Sequence, residues 1–392
     1  MTKFRDCKLN PVEILIIVFY SCSPFLYLIR VFFGDQDVFS VVLRLFEPLL
    51  ILTTFFCLLL KQVKLNYYAI IQSLILFWGV CIGLLSKNYI FNIVSGASHF
   101  IAGLLVYIYF FNMNKSFDRM LWFLERLSYF VIIAIGIVIA FIYYSNAYGR
   151  SVYLGLACQI LIPVFFVLCY KKKLVLAILC FLLIVLSGKR GVLLSFVLGV
   201  LAVAVPLAFS RYFNFKYFMY LLGGVLLVTI FVSLGLGDGM FSRLQFDGSR
   251  GINEYSSGRY QEFYSATIYW LSDSFRTLWG AGFGFTYTYI YDTPNLSDVQ
   301  NYKNVHFSYL NPLISFGLFF GGVYLLSFAF LILGLLVKLS YCKGLGLAYK
   351  ASIITFCIYA CFVFNLFNEP IFWAVLGSLS PSQRMLSEEA AR

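Results

Sequence analysis

The chain has 392 residues, of which 61% are hydrophobic and only 12% charged, and its mean hydropathy is +0.88. A soluble core of this size cannot absorb so much apolar surface, so the bilayer is the expected solvent. The formal charge of +12 would suggest nucleic acid in a soluble protein, but here the basic residues fall in short segments between apolar runs. They act as topology signals, and no nucleic-acid partner is expected.

Lys3, Arg5 and Lys8 precede the first apolar run, which no small-residue cleavage site follows, so it reads as an uncleaved helix. Apolar runs of spanning length predict helices near 12–32, 38–60, 66–85, 93–112, 127–145, 151–170, 174–188, 192–209, 218–235, 309–337, 351–368 and 370–380. The fold class is therefore all-α and polytopic, with about twelve spans. Residues 1–235 hold the first nine helices, 236–308 a large loop, 309–380 the last three helices and 381–392 a polar tail.

With a cytoplasmic N-terminus, eighteen basic residues lie on the inner side against nine outside, five of these in the large loop. Both termini then come out cytoplasmic and the loop lies on the far face. Arg30 and Arg44 fall inside spans, and Glu47 is one helical turn from Arg44, so these two are expected to pair as a polar lock. Nine of the ten cysteines sit in or beside apolar runs and the large loop has none, which suggests neither a disulfide framework nor a metal site. No internal repeat or pair of interrupted helices points to a transporter.

The loop carries Arg243, Arg250, Arg259, Arg276 and Lys303 among seven acidic residues and many aromatics, unlike a passive linker. Tyr260, Phe263, Tyr264, Thr267, Ile268 and Leu271 recur at helical spacing, predicting an amphipathic helix packed on the membrane domain. Arg259 then sits in its first turn, where backbone N–H groups and a guanidinium suit an oxyanion such as phosphate. Phe285, Tyr287, Tyr289 and Tyr291 alternate, compatible with a short extended segment, and the loop aromatics suit either sugar stacking or an interfacial belt. Gly280-Ala281-Gly282-Phe283-Gly284 lacks the strand–turn–helix context of a phosphate loop and reads as a tight turn under aromatic packing.

Arg190, in Ser187-Gly188-Lys189-Arg190-Gly191, stands between two spans on the far face, against the usual charge bias. It is either a snorkelling interfacial arginine or an anion clamp for a lipid-linked phosphate. His306 lies where the loop re-enters the membrane, and is either a hydrogen-bonded interfacial histidine or a base for a sugar hydroxyl near neutral pH. His99, in mid-span, reads as a packing residue. Glu254, Glu262 and Glu369 are alternatives to His306 as the base, and Arg243, Arg250, Arg276, Glu254 and Glu262 are further candidate loop contacts.

Arg190 followed by Leu194, then Ser257-Gly258-Arg259, then the glycine-rich turn at 280–284, then His306 with Gly317 beyond it, resembles the ordered motif set of bacterial O-antigen polymerases (Wzy type) and O-antigen ligases. The resemblance covers about Arg190 to Gly322 and implies a GT-C-type fold in the inner membrane with a periplasmic loop. It implies that Arg190 and Arg259 hold the pyrophosphate of an undecaprenyl-diphosphate-linked glycan donor, and that His306 acts at the hydroxyl of a lipid-linked acceptor. It implies no cofactor and no metal, and a chain-length regulator protein as a candidate partner beside membrane lipid. Phe307 departs from the polar residue that follows the histidine in ligases, and the Phe- and Tyr-rich apolar sequence with a compact loop looks more like the polymerases, so polymerase is the first reading, ligase the second and a lipid-linked oligosaccharide flippase the third. Two guanidinium groups at a leaving diphosphate fit metal-independent transfer, with inversion by single displacement.

Overall fold

The computed structural model describes residues 9–33, 36–60, 62–113, 117–145, 158–187, 190–208, 259–288, 301–302, 305–340, 345–362 and 369–380. The span expected at 218–235, Arg243, Arg250 and Glu254 lie outside these residues, as do the 381–392 tail and the side chains of Arg30 and Arg44.

The described chain is mostly helical: α1 (Pro11–Phe33), α2 (Gln36–Leu59), α3 (Tyr67–Leu85), α4 (Ile90–Asn112), α5 (Phe117–Ser145), a 3-10 turn (Cys158–Ile160), α6 (Leu161–Tyr170), α7 (Leu174–Leu186), α8 (Arg190–Ala208), α9 (Arg259–Leu271), α10 (Ser274–Trp279), α11 (Leu310–Ser340), α12 (Leu345–Tyr359) and α13 (Pro370–Leu379). Two short strands, β1 (Tyr287–Thr288) and β2 (Asn301–Tyr302), pair antiparallel, with Tyr287 opposite Tyr302. Stretches in α3, α4, α5 and α11 are long and apolar enough to cross a membrane, and the described apolar stretches of α1, α2, α6, α7, α8, α12 and α13 are shorter. The chain is thus a helical membrane protein.

α13 lies along α4, α12 along α6 and α8, α1 against α5 and α2, and α3 against α4 and α11. α5 begins at Phe117, not near residue 127, because the charge of Arg119 is matched inside the protein. Its guanidinium makes bonds of 3.0 and 2.6 Å to the fully buried carboxylate of Glu13 on α1. A paired buried charge does not end an apolar helix as an unpaired one would.

The Arg44 side chain of the expected Arg44–Glu47 lock lies outside the described residues, and the Glu47 carboxylate contacts Nδ1 of His99 on α4 and accepts from Ser98 Oγ at 3.4 Å. His99 is therefore a polar partner within the membrane domain, not only a packing residue.

α11 has 31 residues, about 46 Å of helix at 1.5 Å per residue, more than a hydrocarbon core of about 30 Å needs. Gly317, at φ 74° and ψ 179°, breaks it. The break removes helical partners from the carbonyls of Ile314 and Ser315, which instead accept from the N–H groups of Ala281 and Gly282 at 2.8 Å. A side chain at Gly317 would stand 2.3 Å from the Leu278 carbonyl, so glycine is required by both conformation and space. The 280–284 turn, with Gly280, Gly282 and Gly284 all at positive φ, is stitched to the broken helix and to α3, where Phe283 N donates to Gly79 O at 3.0 Å.

Candidate active site

One end of the bundle collects the motif residues. α3 finishes there and α4 begins, with Asn88 between them donating to the carbonyls of Ala281 and Phe283 at 2.8 and 2.9 Å. α8, α9 and α11 also begin there, and α12 ends there.

His306 is fixed on both flanks. The Asn311 side chain bonds both backbone groups of Val305 at 3.0 Å, mimicking a strand partner. Ser308 N donates to Ala360 O at 2.9 Å and Tyr309 Oη to Cys357 O at 2.8 Å, tying the start of α11 to the end of α12. Phe307 sets its ring edge-on to Phe263, with centroids 5.6 Å apart.

Glu262 on α9 holds the histidine itself. Its Oε2 is 2.5 Å from His306 Nδ1, and its Oε1 accepts the His306 backbone N–H at 3.2 Å and the Tyr287 hydroxyl at 3.4 Å. Glu262 is buried, while the His306 side chain is 27% exposed. A carboxylate at Nδ1 favours the tautomer protonated there, and leaves Nε2 on the opposite edge of the ring with the lone pair. That is the protonation state a general base needs.

Arg259 lies one helical turn before Glu262 on the same helix, the spacing at which side chains are neighbours. A Cβ placed on Gly191 would lie 3.8 Å from Arg259 Nη1 and 3.1 Å from Phe362 Cβ. The residue following Arg190 therefore sits against the Arg259 guanidinium. Arg190 and Arg259 are the first described residues of α8 and α9, and the fold brings those two helix starts together across a long separation in sequence.

Arg276 is not brought to this cluster. It lies beyond the other end of α9, where Nη1 donates to Tyr269 O at 2.5 Å and the guanidinium stacks 3.9 Å from the Tyr269 ring centroid. Burial pushes the Tyr269 phenol above its ordinary range, against the lowering effect of Arg276. Glu369 is also elsewhere, at the start of α13, accepting from Tyr20 at 2.9 Å and from Gln159 at 2.6 Å. Sequence reasoning held Glu262 as a rival to His306, whereas the geometry makes it the partner of His306. Tyr287 and Asn311 carried no signal of their roles.

The predicted amphipathic helix is present as α9, but its packing face is reversed. Gln261, Glu262, Ser265 and Ala266 are buried, whereas Tyr260, Phe263, Tyr264, Ile268 and Leu271 are exposed. The inward face is the polar one because it carries Glu262 to His306 and Tyr287.

Fold and site together define a helical membrane protein in which the backbone at Gly191 meets Arg259 one helical turn from a carboxylate-held histidine, while the Arg190 side chain lies outside the described residues. Residues 174–326 match the family model described as Wzy_C, O-antigen ligase. Members of that family are membrane glycosyltransferase-type enzymes, and they include O-antigen ligases and polymerases. The matched segment contains Arg190, Arg259, Glu262, His306 and Gly317, so the resemblance drawn from the ordered motifs is borne out over those residues. No curated protein matches the chain.

Proposed function

We propose that the chain is an O-antigen polymerase of the Wzy type. It transfers a growing glycan from undecaprenyl diphosphate to a lipid-linked repeat unit at the periplasmic face of the bacterial inner membrane. On this reading the chain has about twelve spans in a GT-C-type arrangement with cytoplasmic termini. The single observation that carries it is the His306–Glu262 pair one helical turn from Arg259, with Gly191 and hence the start of α8 against the Arg259 guanidinium.

Arg190 and Arg259 would bind the diphosphate, whose negative charge grows as it leaves. The acceptor hydroxyl oxygen forms a bond to the anomeric carbon as the bond from that carbon to the phosphate oxygen breaks. The hydroxyl proton passes to His306 Nε2, and Glu262 stabilises the imidazolium that results. Undecaprenyl diphosphate departs with the bonding pair, and single displacement inverts the anomeric centre. NMR of the new linkage tests this, since retention would rule out a single back-side displacement.

A ligase would use the same donor with lipid A-core as acceptor, a reading favoured by the description of the matched family as O-antigen ligase. Deletion of the gene in its own host, with the lipopolysaccharide run beside a complemented strain, separates the two. A core bearing a single repeat unit establishes the polymerase. A bare core with polymer retained on undecaprenyl diphosphate establishes the ligase, and an unchanged ladder overturns both.

A further inference from the structure

An amphipathic helix that turns its polar side to the protein and its apolar side outward needs an apolar partner for the outer side. α9 is such a helix, and its surroundings name the partner. α9 starts beside Gly191 at the head of α8 and leads into α10, whose last residue, Trp279, packs 5.7 Å from Trp78 on α3 and 5.1 Å from Phe319 on α11. Both ends are thus held at the same end of the bundle, so the helix runs across that end and not away from it.

The depth follows from the spans. Trp78 precedes the end of α3 at Leu85 by seven residues, about 10 Å at 1.5 Å per residue. Phe319 stands just past the Gly317 break, in the first turn of the spanning part of α11. Trp78 donates its indole N–H to Trp279 O at 3.0 Å, so two tryptophans meet at the level where such rings border the headgroups. Phe275 and Leu278 on α10 are exposed, as are Phe77, Leu318 and Phe319 on the two spanning helices that Trp279 packs against.

We propose that α9 and α10 lie in the plane of the membrane surface, with Tyr260, Phe263, Tyr264, Ile268 and Leu271 seated in the outer boundary of the lipid hydrocarbon. The occupant of this face is the bilayer itself, as for interfacial amphipathic helices generally. The polar inward face then holds Arg259 and Glu262 at the depth of lipid phosphates. This goes beyond the glycan-transfer reading and does not depend on it.

The test places benzoylphenylalanine singly at Tyr260, Tyr264, Ile268 and Leu271 of the full chain, reconstituted in phosphatidylethanolamine–phosphatidylglycerol vesicles and irradiated. Phe319 serves as a lipid-facing control and Asp273 as a polar one. Lipid adducts at the four α9 positions and at Phe319, with loss of adduct at Asp273, are expected. Crosslinks from the α9 positions to other parts of this chain or to a second copy would overturn the proposal, as would failure to form adducts while Phe319 forms them. Because the readout requires no turnover, it stands or falls separately from the polymerase assignment. Four sites on one face guard against a single misfolded variant.

Discussion

Glu262 grips His306 at two points, the imidazole Nδ1 through one carboxylate oxygen at 2.5 Å and the backbone N–H through the other at 3.2 Å. The second contact positions the loop, and the first sets which ring nitrogen carries the proton.

Glu262→Gln separates these two functions. The amide retains an oxygen for one donor but lacks the charge that stabilises an imidazolium. We expect kcat to fall roughly 10²-fold or more with KM little changed. Steady-state kinetics on a lipid-linked donor check this, and an unchanged kcat would remove Glu262 from the proton transfer.

Arg259→Lys preserves a positive charge but loses the planar fork that can grip two phosphate oxygens. A fall in kcat/KM of roughly 10²–10³-fold is expected, the scale for losing one donor at a developing oxyanion. The same kinetic assay reads it. A protein with the wild-type size-exclusion profile and that reduced kcat/KM is the expected result.

Two glycines on α11 should behave oppositely. A Cβ on Gly317 meets the Leu278 carbonyl and requires a strained left-handed backbone, whereas one on Gly322 meets nothing within 4 Å. Gly317→Ala should destabilise by at least about 1–3 kcal/mol. Gly322→Ala should be neutral, and thermal unfolding in detergent compares the two.

The Glu13–Arg119 pair is buried at both ends. Removing either partner alone leaves an uncompensated buried charge, costing roughly 3–5 kcal/mol, while replacing both with leucine should restore most of that loss. A double-mutant cycle of thermal stability measures the difference.

The sequence shows best what depends on composition and on residues near the ends of apolar runs. Arg190 and His306 stand out because a polar group at the end of an apolar helix is conspicuous, and Arg259 because it opens an amphipathic one. The glycine-rich turn and Gly317 were visible as a motif, but their mutual stitching through Ile314 and Ser315 is tertiary.

Glu262 was legible only as another acid, since it meets His306 across 44 residues of chain. Apolar spacing in α9 marked one face correctly, but periodicity does not say whether that face meets protein or lipid. The His99 partner of Glu47 was likewise hidden, because it comes from the neighbouring helix and local spacing reaches only one turn.

The most direct measurement gives the purified protein, in vesicles, an undecaprenyl-diphosphate-linked repeat unit and follows chain growth together with release of undecaprenyl diphosphate. The wild-type protein should build a ladder and release one carrier per linkage, and His306→Ala, folded and correctly inserted, should build none. An undiminished ladder from His306→Ala would contradict the site, and a wild-type protein that extends no chain from authentic repeat units would contradict the polymerase.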